Sequence, residues 1–198
     1  MQSQTTTTTT PPPFQFPREY SFPPFFTRQH NLTTHHAQLT KWASLVLSYC
    51  RHHRLYKLTL SDSSASQFPL FYNAKINRRL GISDIREVVE FLRRDGRAEW
   101  VGGSDSNNKE DGGEGGDVVW IYWRTPEEWA AVIEGWVEST AQRGSVLTLY
   151  ELREGDGARG AEFHGIEPEL LQKALGVLVK RGKAQIFGNE DSQGVKFF

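Results

Sequence analysis

Six histidines and one cysteine are the residues here best suited to metal or nucleophilic chemistry, and their spacing argues against both. His35 and His36 are adjacent, as are His52 and His53, so each pair points to different faces of a helix, while His30 and His164 stand alone. Cys50 is the only thiolate source, so no four-ligand zinc set assembles locally. Its apolar helical surroundings read it as a buried small hydrophobe, and the histidines read as solvent-facing. A single cysteine closes no disulfide within one chain, which suits a reducing compartment. Serine and aspartate gather in the Gly-rich stretch 102–117 and form no nucleophile–base–acid pattern, and no phosphate-binding glycine signature precedes a helix. That stretch, with five acidic residues and one lysine, reads as a flexible loop in preference to a calcium site. No catalytic, metal or cofactor site is expected.

A different chemistry lies in Phe14-Gln15-Phe16-Pro17-Arg18-Glu19-Tyr20-Ser21-Phe22-Pro23-Pro24-Phe25-Phe26. It holds six aromatics and three prolines with neither helical nor alternating periodicity. Proline fixes φ and biases its predecessor toward extended backbone, so the segment predicts aromatics displayed along a rod, ready to dock into an apolar pocket. Phe25 and Phe26 would be a large apolar liability on a free chain. That favours docking in trans over the alternative, in which the segment folds back to cap its own module. Residues 1–13, a threonine run followed by three prolines, read as a disordered tail. They lack the basic start and apolar centre of a targeting peptide. No run approaches transmembrane length, so the chain reads as soluble and cytoplasmic.

The elements that must carry this segment appear as a repeat. Leu92-Arg93-Arg94-Asp95-Gly96-Arg97-Ala98-Glu99-Trp100 is echoed 86 residues later by Leu178-Val179-Lys180-Arg181-Gly182-Lys183-Ala184-Gln185-Ile186, and Trp42-Ala43 recurs as Trp129-Ala130. From Thr33, the residues Leu39, Trp42, Ala43, Val46, Tyr49 and Cys50 make one helical stripe. Tyr56 to Leu60 alternates as a strand. A short helix is predicted over Asn73 to Leu80 and a longer one from Asp84, with Ile85, Val88, Val89 and Leu92 on one face. Gly96 and Gly182 fall where a helix C-terminus needs a left-handed residue. Ala98 to Val101 and Val118 to Trp123, joined by the 102–117 loop, predict a hairpin wing. Thr125-Pro126-Glu127-Glu128 predicts a capping box that opens the second module. Its helix runs through Trp129, Ile133 and Val137, followed by a short strand and helix start in Ser145 to Leu152. Another helix holds Leu170 to Leu178, and Ala184 to Phe187 with Val195 to Phe198 form a second hairpin. Helix, strand, helix, helix, strand, strand is the winged-helix plan. The expected architecture is α+β: two tandem winged-helix domains preceded by an extended Pro/aromatic segment. The tail is 1–13, the docking segment 14–32, the first winged helix 33–124 and the second 125–198.

Winged helices often bind DNA, so charge is the discriminator. Lys75 to Arg97 carries seven basic against four acidic residues, and Glu167 to Lys183 four against two, within a net charge of −1. These excesses are modest and the helix holding Glu127, Glu128, Glu134 and Glu138 is acidic, so solvated helix faces explain them better than phosphate contacts. A tandem winged-helix nucleic-acid binder or transcription cofactor is the rival reading.

Tyr20-Ser21-Phe22-Pro23-Pro24-Phe25-Phe26-Thr27-Arg28-Gln29, Pro126-Glu127-Glu128-Trp129, Leu147-Thr148-Leu149-Tyr150-Glu151-Leu152, Glu162-Phe163-His164-Gly165 and Gly194-Val195-Lys196-Phe197-Phe198 together resemble the vacuolar protein sorting-associated protein 25 family, the small subunit of the ESCRT-II endosomal sorting complex. The resemblance spans about residues 14 to 198. It implies a non-enzymatic adaptor without cofactors. It also implies Pro-Pro-aromatic motifs that dock into apolar pockets of the two larger subunits, with two copies of the small subunit per complex. Pro23, Pro24, Phe25 and Phe26 match the second motif, flanked by Tyr20 and Phe22. The first motif departs from the pattern, since Phe16-Pro17-Arg18-Glu19-Tyr20 keeps one proline and the tyrosine. The second winged helix is implied to recruit an ESCRT-III subunit in sorting ubiquitinated cargo into multivesicular bodies. Val146, Leu147, Thr148 and Leu149 are candidates for that surface, and a core-strand role is the alternative. Membrane association is expected to be indirect, through recruitment to endosomes, with no direct nucleic-acid contact.

Overall fold

The first apolar stripe folds as a helix, α1 (Leu32–His53), one residue ahead of the predicted start. Asn31 explains the boundary: its side chain accepts from the Thr33 and Thr34 amides, satisfying two donors that have no partner within the helix. The helix buries Trp42, Ala43, Leu45, Val46, Tyr49 and Cys50, and also Gln38, a polar residue inside the stripe. Burial pushes the Cys50 thiol up to about 12, consistent with a packing role.

The computed structural model describes residues 12–60, 68–102, 118–188 and 193–198. Most of the predicted tail, residues 1–11, and loop residues 103–117 therefore lie outside the described residues. The chain divides into two compact units, Met1–Ile121 and Tyr122–Phe198.

In the first unit α1 is followed by β1 (Lys57–Thr59), β2 (Tyr72–Asn73), β3 (Arg78–Arg79), α2 (Ile82–Arg94), β4 (Ala98–Trp100) and β5 (Val118–Ile121). The antiparallel sheet has the order β1-β5-β4, with Val119 opposite both Leu58 and Trp100. In the second unit α3 (Pro126–Ser139), β6 (Val146–Thr148), α4 (Leu149–Glu154), α5 (Pro168–Lys180), β7 (Ala184–Phe187) and β8 (Gly194–Phe197) give the equivalent sheet, β6-β8-β7. In each unit the first helix packs on the helix that precedes the wing, α1 on α2 and α3 on α5. Both are winged helices.

The sequence echo has a structural cause. Gly96 and Gly182 each adopt φ of 69°, a conformation that costs other L-residues about 1–2 kcal/mol. Each turns the chain so that the next amide bonds back into the helix, Arg97 to the Leu92 carbonyl at 2.8 Å and Lys183 to the Leu178 carbonyl at 2.9 Å. The same turn then launches β4 and β7.

One expected element is absent: Asn73 to Leu80 is a tight hairpin, not a short helix. Tyr72 pairs with Arg79 and Asn73 with Arg78, and the Leu80 amide extends the ladder to the Phe71 carbonyl at 2.9 Å. Asn73 starts the turn by accepting the Lys75 amide at 3.0 Å, and Asn77 takes a left-handed φ of 48°. Asparagine tolerates that conformation, and this turn chemistry overrides a weak helical period.

Candidate partner-binding surfaces

The Pro/aromatic segment is a pair of 3-10 turns, Arg18–Ser21 and Pro23–Phe26, separated by extended Phe22. Pro23 and Pro24 supply the fixed φ such a turn needs but no N–H. The turns close through the remaining donors, with the Phe25 amide on the Phe22 carbonyl at 2.9 Å and the Thr27 amide on the Pro24 carbonyl at 3.2 Å.

This folding corrects the expected rod. Tyr20, Phe25 and Phe26 are buried in the first unit. Phe25 stacks on Trp42 with centroids 4.4 Å apart and planes 6° from parallel, and Phe26 meets the same indole edge-on at 5.4 Å. Burying each phenylalanine is worth roughly 1.5–3 kcal/mol, one contribution among several that offset the ordering of the segment, which folds back as the alternative reading had it. Tyr20 stacks on Phe16 at 4.0 Å, and its hydroxyl reaches the carbonyls of Pro69 and Tyr72. Burial, with a smaller contribution from Tyr49, pushes its phenol up to about 12.

Left outside are Phe22, 60% exposed, and the rings of Pro23 and Pro24. They form a short apolar ridge backed by buried aromatics. Ion pairs flank it: Lys41 with Glu19 at 2.9 Å and Arg28 with Glu87 at 2.9 Å. The hydrogen bond from Lys41 holds the Glu19 carboxyl below its usual range.

Sequence reasoning missed the residues that hold this segment. Gln38 donates to the Phe25 and Thr27 carbonyls at 2.8 and 2.9 Å, Trp42 Nε1 donates to the Phe25 carbonyl at 2.9 Å, and Asn73 donates to the Tyr20 carbonyl at 2.7 Å. The available signal was a glutamine inside an apolar stripe, four residues before Trp42.

The second candidate surface lies on the second unit. β6 is an edge strand, with Val146 opposite Lys196, Leu147 opposite Val195 and Thr148 opposite Gly194 on β8. Val146 is 55% exposed, and Leu147 and Leu149 are half-buried, so this stretch is not a core strand. Thr148 is engaged in a capping box for α4: its hydroxyl accepts the Glu151 amide at 3.0 Å and its own amide donates to the Glu151 carboxylate at 2.8 Å. The Thr148 amide, and the Thr148 hydroxyl donating to the same carboxylate at 2.9 Å, hold the Glu151 carboxyl low. Tyr150, 73% exposed, stands on the same turn and is the residue the sequence reading passed over. Leu152, fully buried, anchors the turn below it.

His30, His36 and His53 are exposed as expected, while His35, His52 and His164 are half-buried. His35 Nε2 lies 2.9 Å from Glu87, bridging α1 and α2, and His52 packs edge-on against Phe14 with centroids 5.4 Å apart. Burial, with the neighbouring His52, lowers the His53 pKa. Among the described residues no group of three His, Cys, Asp or Glu converges, and no helix is long and apolar enough to cross a membrane. On α2, Arg93 and Arg94 both pair with Glu90, at 2.7 and 3.3 Å, as solvated helix faces do.

A family model described as ESCRT-II complex subunit matches residues 19–167. Vacuolar protein-sorting-associated protein 25 of Xenopus laevis is 43% identical, covering 93% of this chain and 99% of that protein. The Danio rerio and Homo sapiens proteins of the same name are 45% and 42% identical, each over 93% of this chain and over 99% and 98% of their own lengths. Among solved structures, the fold is similar to subunit VPS25 of the endosomal trafficking complex ESCRT-II, with a TM-score of 0.76 and 27% identity over 92% of this chain and 98% of that one. It is similar also to a chain of the endosomal complex ESCRT-II (VPS22/VPS25/VPS36), with a TM-score of 0.73 and 28% identity over 92% and 98%.

Proposed function

Because this chain belongs to the ESCRT-II complex subunit family, as a relative of vacuolar protein-sorting-associated protein 25, we propose that it is the adaptor joining the core of that complex to ESCRT-III. It is a component of the endosomal sorting machinery and not an enzyme. In this reading the first unit docks the two larger subunits, the counterparts of VPS22 and VPS36 in the solved complex, with two copies of this chain per assembly. The second unit recruits an ESCRT-III subunit, and the coupling serves the sorting of ubiquitinated cargo into multivesicular bodies. The protein works in the cytoplasm, is carried to the endosomal membrane by its partners and makes no direct nucleic-acid contact.

The observation that supports docking is the Phe22-Pro23-Pro24 ridge. An apolar ridge already fixed on a folded unit loses little conformational entropy on entering a pocket. The roles within the motif therefore divide: Phe22, Pro23 and Pro24 meet the partner, while Tyr20, Phe25 and Phe26 anchor the ridge from beneath. On the second unit Val146, Leu147, Leu149 and Tyr150 offer the contact, with Thr148 holding the turn.

The test is affinity capture from cell extract with the full chain, followed by mass spectrometry. A Phe22→Ser/Pro23→Ala/Pro24→Ala variant should stay folded by circular dichroism and fail to retrieve the larger ESCRT-II subunits. A Val146→Asp/Tyr150→Ala variant should retrieve them but lose ESCRT-III. If the ridge variant recovers both larger subunits at the level of the unaltered chain, the docking assignment is wrong.

A further inference from the structure

Gln38, 8% exposed, and Asn73, 5% exposed, are the buried polar residues among the described part of the chain, and both direct their amides to the Pro/aromatic segment. A buried primary amide is costly unless its donors and acceptor are all engaged, so two converging on one segment point to a role there. Gln38 is fully engaged. Its Nε2 donates to the carbonyls of Phe25 and Thr27, with Pro24 at a longer 3.4 Å, and its Oε1 accepts the Gln29 amide at 3.3 Å. A flipped amide would set an oxygen against two carbonyls, so its orientation is fixed by the network. Asn73 is engaged in the same way, donating to the Tyr20 carbonyl and accepting the Lys75 amide.

The pinned carbonyls lie on either side of the exposed ridge: Tyr20 before it, Phe25 and Thr27 after it. Pro23 and Pro24 have no N–H, so their backbone can hold the ridge only as an acceptor, the Pro24 carbonyl taking the Thr27 amide and Gln29 Nε2. Asn73 comes from the β2–β3 hairpin and Gln38 from α1, so the segment is held from two different elements.

We propose that Gln38 and Asn73 are positioning residues that pre-organise the Phe22-Pro23-Pro24 ridge for its partner, so that binding does not bear the cost of ordering it. This rests on the docking role given above. Gln38→Met keeps side-chain volume and removes every hydrogen bond.

The experiment is a double-mutant cycle, titrating the full chain into the purified complex of the two larger ESCRT-II subunits. Gln38→Met should weaken binding about tenfold, the scale at which ordering costs appear in affinity, and Asn73→Ala should act in the same direction. In a Phe22→Ala background, Gln38→Met should change affinity less than twofold, because the ridge it positions has already lost its principal contact. Equal tenfold losses in both backgrounds would mean a general structural role and overturn the proposal, as would unaltered affinity in the Gln38→Met chain. Should Gln38→Met lose the near-ultraviolet dichroism of the first unit, the same cycle with Asn73→Ala decides by the same criteria. If Phe22→Ala alone leaves affinity intact, the docking reading itself fails, an outcome distinguishable from failure of the positioning role alone.

Discussion

The two winged helices share a plan but are held together by different kinds of bond. The second unit encloses Trp129, Ile133, Leu152, Phe163, Leu171 and Phe197 in its core, buries no polar side chain among the described residues, and carries capping boxes of Thr125 with Glu128 and Thr148 with Glu151. In the first unit Asn31 caps α1 while α2 starts on Gly81 with no side-chain cap, and polar side chains also go into the interior, where Gln38, Asn73 and Trp42 bond the carbonyls of the N-terminal segment. A helix satisfies most of its own backbone. A segment interrupted by Pro17, Pro23 and Pro24 does not, so the core beneath it must supply the donors. Polar burial therefore marks where the winged helix has been adapted to carry something extra.

The most severe way to break this difference is to remove Trp42, which supplies a stacking face to Phe25, an edge contact to Phe26 and a hydrogen bond to the segment. Trp42→Ala should cost about 3–5 kcal/mol, measured by denaturant titration of the full chain. Hydrogen exchange read unit by unit should show early loss of protection at the Phe25 and Thr27 amides. Trp129→Ala, its counterpart in the repeat, should cost a similar amount while leaving those two amides protected. Equal exposure of the segment in both variants would erase the distinction.

A smaller effect separates the units by pH. Tyr20 ionises at about 10 in the unfolded chain and is pushed up to about 12 in the fold, burial being the main cause. Its contribution is fully present below pH 10 and is lost as pH rises toward 12, because the unfolded chain releases the proton first. Tyr49 is shifted the same way, also mainly by burial. The first unit should therefore lose stability along an alkaline limb that Tyr20→Phe shortens, followed by denaturation midpoints alongside tyrosinate absorbance. If Tyr20→Phe leaves the limb unchanged, the phenol is not the group responsible.

How much of this was legible depended on whether the signal was local. The capping box at Thr125, the C-terminal glycines Gly96 and Gly182, and the apolar stripes of α1, α2, α3 and α5 are each written in a few consecutive residues. The winged-helix plan followed from their order. The Asn73–Leu80 hairpin was not, because an Asx turn and one left-handed asparagine outweigh a weak apolar period. Nor was the burial of Phe25 and Phe26 decided by the prolines around them. Proline fixes local φ, but the direction in which those rings point is set by Trp42 and Gln38 on a different element. On β6 the residue types fitted both strand core and contact surface. The register separates exposed Val146, which lies opposite Lys196, from Val195, which lies opposite Leu147 on the other face and is buried on the central strand β8.

The smallest expected effect tests the other half of the comparison, the capping boxes of the second unit, which has among its described residues no buried amides of the kind the first unit adds to its interior. Thr125 accepts the Glu128 amide at 3.3 Å, and the Glu128 carboxylate accepts the Thr125 amide at 2.8 Å, with Pro126 at the first helical position. Thr125→Ala removes one of these reciprocal bonds and should cost about 1 kcal/mol, seen as a shift in denaturation midpoint without a change in slope. The loss should stay this small because Glu128 and Glu127 remain in the first turn, where the helix dipole favours negative charge. Glu128→Gln should retain most of the geometry while forfeiting that charge. Its deficit should shrink in salt, whereas the Thr125→Ala deficit should not. A salt-dependent loss for both would assign α3's start to electrostatics and not to the cap. The two units would then differ only in the segment that the first one carries.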